Sequence, residues 1–334
     1  MSIEFTLGPV IKEHPPISIG ISSCLLGERV RYDGAHKRQH LLIEKLSPFV
    51  EWLPVCPEVD IGLGVPRPPI QVEVSAGKRS LVMPSTGENL TEKMNEYARE
   101  RSSQDDMAEL RGYIFKSRSP SCAIDSAPEL DEAAPTGLAT PQRSRGPGFF
   151  TAEMMRRHPE LPIAEETALS TPASISAFVE KVCAFDRLAN FFSRERSLGQ
   201  MVMFTSQSRL QLQTHGESAT REIDGLLSGS GGIDPEHLIP DFMSLYLKAF
   251  DEPATKPGHL RAIGRFLLDA RGRVSDRDLE LIEASVRRFR DDGEELAPLR
   301  NALSSIAEEL ELPHHIHSTY LEPYRIEIEL AAAV

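Results

Sequence analysis

The chain has 334 residues, 40% of them hydrophobic, and its 50 Asp and Glu outweigh 37 Lys and Arg to give a formal net charge of -13. That is enough chain for two separate cores, and the negative field works against a broad, sequence-independent nucleic-acid surface. No stretch approaches the roughly 20 apolar residues that span a bilayer, and residues 1–16 lack the order of a secretory signal. A cytoplasmic protein without a membrane partner is expected, whose four cysteines do not form a stapling disulfide framework.

Alternating Ile17, Ile19 and Ile21 predict a short buried strand, with Cys24 just past its end. A polar loop leads to a helix built on Leu41, Leu42 and Leu46, and VEWLPVC forms a second strand that again ends at a cysteine, Cys56. QVEVS and SLVMP flank Ala76, Gly77, Lys78 and Arg79 and predict an inserted hairpin able to act as a flap. Asn89 with Glu92 has the form of a capping box for a helix continuing to Leu110. GYIFK is the third strand. After Cys122 comes a long loop rich in Pro, Ala, Gly and acidic residues, then a helix, FFTAEMMRRH, and a fourth strand, LPIAEE. This order describes an α/β domain over residues 1–166, a small doubly wound, Rossmann-like sheet.

Beyond the linker-like ALSTPAS the periodicity becomes helical, which predicts an all-α domain over residues 174–334. Ser174 is placed to cap a helix carrying Ile175, Phe178, Val179, Val182, Phe185, Ala189 and Phe192. Cys183 lies within that apolar stripe and reads as core. His314, His315 and His317 can bind a metal or sense pH, and fit a polar loop between helices better.

Cys24, Cys56 and Cys122 all fall just beyond predicted strands, at the edge of an open α/β sheet where loops converge and ligands bind. Three thiolates suit a cluster of four irons and four sulfides and leave one iron without a protein ligand, a Lewis acid open to substrate. Spacing alone leaves two alternatives standing. One is three ordinary buried thiols, since none forms a CxxC pair. The other is a zinc site completed by His36 or His40.

SSCLLGERVRYDG, VCPEVDIGLGVPRPP and KSRSPSC together resemble the three signatures of the family catalogued as domain of unknown function 523, which includes thiouracil desulfidase. The resemblance covers roughly the first half of the chain. It implies a 4Fe-4S cluster as cofactor, with Cys24, Cys56 and Cys122 as its ligands and the open iron taking the sulfur of a thiolated pyrimidine, base or nucleoside. Ala123 stands where the family usually has Gly, and the loop that follows is this chain's own. The closing segment, STYLEPYRIEIEL, resembles that of domain of unknown function 1722 and implies no site residues.

On this reading water attacks a thiocarbonyl carbon with no net redox change. Glu58, two residues past Cys56, is the first candidate to activate the water. Ser119 and Ser121, beside Cys122, are candidates to donate to the ring or relay a proton. Tyr32 can stack on a flat heterocycle, Arg67 can be held over the site by its neighbouring prolines, and Lys116 can hold a substrate oxygen. Arg29, Arg31, Lys37 and Arg38 concentrate positive charge after Cys24, suited to an anionic cluster. Two other functions compete: an iron-sulfur redox or oxygen sensor that signals through the helical domain, and a zinc-stabilised binding domain. Oligomerisation through the helical domain is a further expectation.

Overall fold

The computed structural model describes residues 14–131, 143–193, 196–292, 296–312, 315 and 317–331. It divides into two compact units, Pro16–Phe178 and Val179–Val334, the second also taking in His14 and Pro15. The division falls within a helix.

The strands of the first unit are β1 (Ile17–Ser22), β2 (Val50–Val55), β3 (Gln71–Ser75), β4 (Lys78–Met83), β5 (Glu88–Asn89), β6 (Gly112–Phe115), β7 (Ala127–Asp131), β8 (Arg143–Gly146) and β9 (Ile163–Glu165). Four of them form an all-parallel sheet in the order β2-β1-β6-β9. Ile19 and Ile21 in β1 and Ile114 and Phe115 in β6 are fully buried, the continuous burial that a parallel sheet covered on both faces requires. The chain leaves β1 for β2 on one side and later returns to β6 on the other. The carboxyl ends of β1 and β6 therefore bound a topological switch point, where open α/β sheets bind ligands.

The remaining strands form a mixed sheet in the order β5-β4-β3-β7-β8. This corrects two expectations. The β3–β4 hairpin turns on Ala76 and Gly77 alone, both with positive φ, and it is no flap, because β3 also pairs in parallel with β7. The segment after Cys122, expected as loop, carries β7 and β8, while residues 132–142 between them lie outside the described residues. Pro128 and the acidic composition hide β7 in the sequence. It is held by its pairing with β3 and by Arg79, whose Nε donates to Glu129 Oε1 at 2.7 Å.

The first unit's helices are α1 (Ser23–Leu26), α2 (His40–Leu46), α3 (Pro57–Asp60), α4 (Thr91–Ser102), α5 (Asp105–Ala108) and α6 (Phe149–Arg157). The expected capping box does not form. Asn89 pairs with Val82 at the sheet edge, so Leu90 occupies the N-cap of α4 without a side-chain bond, and Glu92 accepts instead from Arg99. The helix expected to reach Leu110 stops at Ser102.

The later helices are α7 (Pro172–Phe192), α8 (Leu198–His215), α9 (Ser218–Ser228), α10 (Pro235–Lys248), α11 (Lys256–Asp269), α12 (Asp276–Arg287), α13 (Leu296–Glu309) and α14 (Arg325–Ala331). Thr171, not Ser174, takes the capping place before α7: its Oγ1 accepts from the Ser174 N–H and Ser174 Oγ accepts from the Thr171 N–H, both at 3.1 Å. Pro172 favours that first helical position because it has no N–H to satisfy. Phe192, Phe204, Phe242 and Tyr246 form one core of the second unit, and Ile263, Phe266, Leu299 and Leu303 belong to another. Cys183 is fully buried, as expected of a core residue. Among the described residues no helix is long and apolar enough to cross a membrane.

Buried polar groups in the helical unit give it a pH dependence. Burial, helped by the Arg300 guanidinium, lowers the His259 pKa from 6.5 to about 4. Between those values the unfolded chain holds a proton that the native state refuses, so His259 makes stability fall as pH drops from 6.5 to 4. Against its own burial, His215 is held above its ordinary pKa by Glu180, 3.2 Å from its Nε2. Its stabilising contribution is complete below pH 6.5 and is lost as pH rises through its native pKa, a separate window. Urea melts of a His259→Gln variant are expected to show a flatter acid limb between pH 6.5 and 4 than those of the unaltered chain.

Candidate active site

The three cysteines reach one cavity by three different local routes. At the end of β1 the chain turns directly into α1, a single turn that carries Cys24 and stops at Gly27, whose φ of 106° belongs to the left-handed region. Arg38 donates to the Leu26 carbonyl at that helix end, so one of the four cations expected around a cluster serves as a cap instead. Cys56 follows β2 at the N-cap of α3, with Pro57 in the first position. This places Glu58 in the first turn, facing back toward the thiol: Cys56 Sγ lies 3.6 Å from Glu58 Oε2. Cys122 follows β6 across a tight loop in which Ser119 Oγ accepts the backbone N–H groups of Ser121 and Cys122 at 3.2 and 3.1 Å. Gly148 crosses under this loop so closely that a Cβ there would lie 2.3 Å from the Ser121 carbonyl carbon.

The cavity has a volume of about 660 Å³ and is lined by all three cysteines, together with Glu58, Ser119, Tyr32, Arg67 and Lys116. Five basic side chains, Arg31, Lys37, Arg67, Lys116 and Arg118, face two acidic ones, Glu58 and Glu166. The wall is thus positive and suited to an anionic ligand set. Burial, reinforced by the Glu58 carboxylate, pushes Cys24 up to about 11 and Cys56 up to about 12, and holds Cys122 well above its ordinary value. The thiols stay protonated at neutral pH unless a cation displaces their protons.

Three candidate residues occupy positions that define their roles more narrowly. Ser119 donates to Glu58 Oε1 at 3.3 Å, so its hydroxyl proton is already directed at the carboxylate. Tyr32 is 44% exposed at the cavity wall with the Arg31 guanidinium 5.4 Å from its ring centre, leaving ring surface open to a ligand. Arg67 Nη1 donates to the carbonyls of Val30 and Gly64 at 2.8 and 3.0 Å, and its backbone N–H donates to Tyr32 O at 2.9 Å. It braces the wall.

Lys116 and Ser121 differ from expectation. The Lys116 ammonium donates to Glu166 Oε1 at 2.5 Å, to Ser117 O at 2.9 Å and to Ser117 Oγ at 3.1 Å. An ammonium has three protons, so none remains for a substrate oxygen. Ser121 is fully buried, is not among the cavity's lining residues, and its Oγ has no hydrogen-bond partner among the described residues. It supports the loop from beneath.

Sequence reasoning missed Glu166, which is buried and accepts from both Lys116 and Ser117. The available signal was its position just past β9, in register with the other strand ends of the parallel sheet.

The histidines proposed to complete a zinc site do not do so: His36 and His40 are exposed and neither lines the cavity. Among the described residues no three His, Cys, Asp or Glu side chains are grouped as ligands of a single metal ion. In the second unit His315 is buried with Nε2 3.2 Å from Asp269, His317 is exposed, and His314 lies outside the described residues.

No curated protein matches the chain. A solved structure of a 4Fe-4S-dependent thiouracil desulfidase, TudS, is 28% identical over 47% of this chain and 93% of its own, with a TM-score of 0.34. Residues 19–166, the stretch that carries all three cysteine segments, match the family model described as 2-thiouracil desulfurase.

Proposed function

We propose that the first unit holds a 4Fe-4S cluster on Cys24, Cys56 and Cys122 and uses it to remove sulfur from a thiolated pyrimidine, a thiouracil-like base or nucleoside. The observation that carries this reading is the convergence of three thiols on one positively lined cavity with a carboxylate in contact with one of them. The all-sulfur donor set suits an iron-sulfur cluster, and three ligands leave one iron for substrate. Bound there, the cluster supplies a Lewis acid to a thiocarbonyl sulfur.

The chain's own groups do the rest. The exposed Tyr32 ring offers a stacking face for a flat heterocycle. Glu58 takes a proton from the attacking water, and Ser119 orients the carboxylate through its 3.3 Å hydrogen bond. Water oxygen replaces sulfur on the carbon, sulfide leaves, and no electrons are transferred. Lys116 and Glu166 form the fixed floor of the site.

Anaerobic reconstitution with iron and sulfide tests the assignment. The expected result is about four irons per chain, a visible charge-transfer band, and sulfide release from 2-thiouracil or 4-thiouridine. Stoichiometric zinc without iron, or a loaded chain that releases sulfide from no thiolated base or nucleoside, overturns it.

A further inference from the structure

The helix α6 opens without a capping side chain. Its first four N–H groups have no carbonyl of their own helix to meet, and all four donate into the loop that carries Cys122. Phe149 N–H donates to Pro120 O at 3.0 Å, Phe150 and Thr151 N–H donate to Ser121 O at 3.0 and 3.2 Å, and Gly148 N–H donates to Ala123 O at 2.7 Å. That series skips the Cys122 carbonyl. The Thr151 hydroxyl fills the gap, donating from Oγ1 to Cys122 O at 2.7 Å. Thr151 is fully buried, so this bond meets no competing water.

With the carbonyls of Pro120 and Ser121 turned toward α6, the N–H groups of the same planar peptides point the opposite way. They are the N–H groups of Ser121 and Cys122, and both donate to Ser119 Oγ, at 3.2 and 3.1 Å. A hydroxyl has two lone pairs and one proton, so two incoming donors leave Ser119 only its proton to give. It goes to Glu58 Oε1 at 3.3 Å. The next peptide is fixed at both ends as well, by Thr151 on the Cys122 carbonyl and by Ser119 O, 3.1 Å from the Ala123 N–H. We infer that Thr151 is a positioning residue: its hydroxyl, closing the grip of α6 on this loop, holds the third cluster ligand in register with Ser119 and the Glu58 base. The inference rests on the cluster reading proposed above.

The test compares the unaltered full chain with Thr151→Val, Thr151→Ser and Thr151→Ala. Before loading, the alkylation rate of each cysteine is followed by mass spectrometry. After anaerobic loading, sulfide release from 2-thiouracil and 4-thiouridine is measured per bound iron. Valine has the shape of threonine, and alanine is serine without its oxygen, so each pair isolates the hydroxyl even if one variant folds poorly. Cys122 is expected to react about 10-fold faster in Thr151→Val and Thr151→Ala, with Thr151→Ser close to the unaltered chain and Cys24, Cys56 and Cys183 unchanged. kcat is expected to fall by about the same factor at constant KM. Equal Cys122 rates within both pairs, or a rise shared by Cys183, overturn the hold of Thr151 on the ligand. A rise confined to Cys122 with kcat unchanged overturns the link to Glu58. An unaltered chain that takes up no iron overturns the cluster reading, and the ligand role inferred here with it. Iron uptake without sulfide release overturns the desulfuration reading and the link to Glu58, while the alkylation rates still decide the hold on Cys122.

Discussion

Replacing Cys56 with alanine is expected to abolish the visible charge-transfer band and reduce sulfide release to the uncatalysed background. Cys24→Ala and Cys122→Ala are expected to do the same, because each would remove one of the three proposed ligands, and a cluster open at one iron would have no surplus to lose. The fourth cysteine is the internal control. Cys183 is fully buried in the helical unit, and Cys183→Ala should leave iron content unchanged. Iron and sulfide per chain, measured under argon beside circular dichroism, separate ligand loss from unfolding. Full iron content in any one of the three variants would remove that cysteine from the ligand set.

Glu58→Gln is expected to lower kcat by about 10²- to 10⁴-fold, the usual range for a positioned general base, while leaving the cluster in place. The side chain is buried, touches Cys56 and accepts from Ser119. Glutamine preserves its shape and removes its basicity. After burial itself, the Glu58 carboxylate is the largest influence holding up all three thiols. Its neutralisation therefore makes thiolate formation easier, and cluster loading should not fall. That sign distinguishes the base from a merely structural carboxylate, whose loss would lower iron content and activity together. Steady-state kinetics with parallel iron analysis reads both, and retention of kcat within a few-fold would assign the proton transfer to another group.

The strands that carry the cysteines were legible because β1 places Ile17, Ile19 and Ile21 at alternate positions, all buried, and Cys24 follows just past its end. The motif segments around Cys56 and Cys122 were equally local. What could not be read depends on partners distant in sequence. Nothing around Lys116 indicates that Glu166, fifty positions on, occupies its ammonium. Nothing around Pro128 indicates that β3 will recruit it into a sheet. Ser119 and Ser121 look equivalent in SRSPSC, yet one reaches Glu58 and the other is buried by the approach of Gly148. The Thr171 cap was a choice between two nearby hydroxyls, decided by the preference of Pro172 for the first helical position.

The brace at Arg67 bears on how tightly so small a molecule can bind. The free base, the smallest ligand of the proposed kind, has fewer than about ten heavy atoms, and the best tiny ligands reach only about 1.5 kcal/mol of affinity per atom. Ordering a slack wall on binding would cost about 1–2 kcal/mol for each residue fixed, enough over a few residues to cancel much of that affinity. Arg67 ties Val30, Tyr32 and Gly64 together through three hydrogen bonds of 2.8–3.0 Å, so the wall is set when the chain folds. The ligand's few contacts are then left to hold the ligand itself.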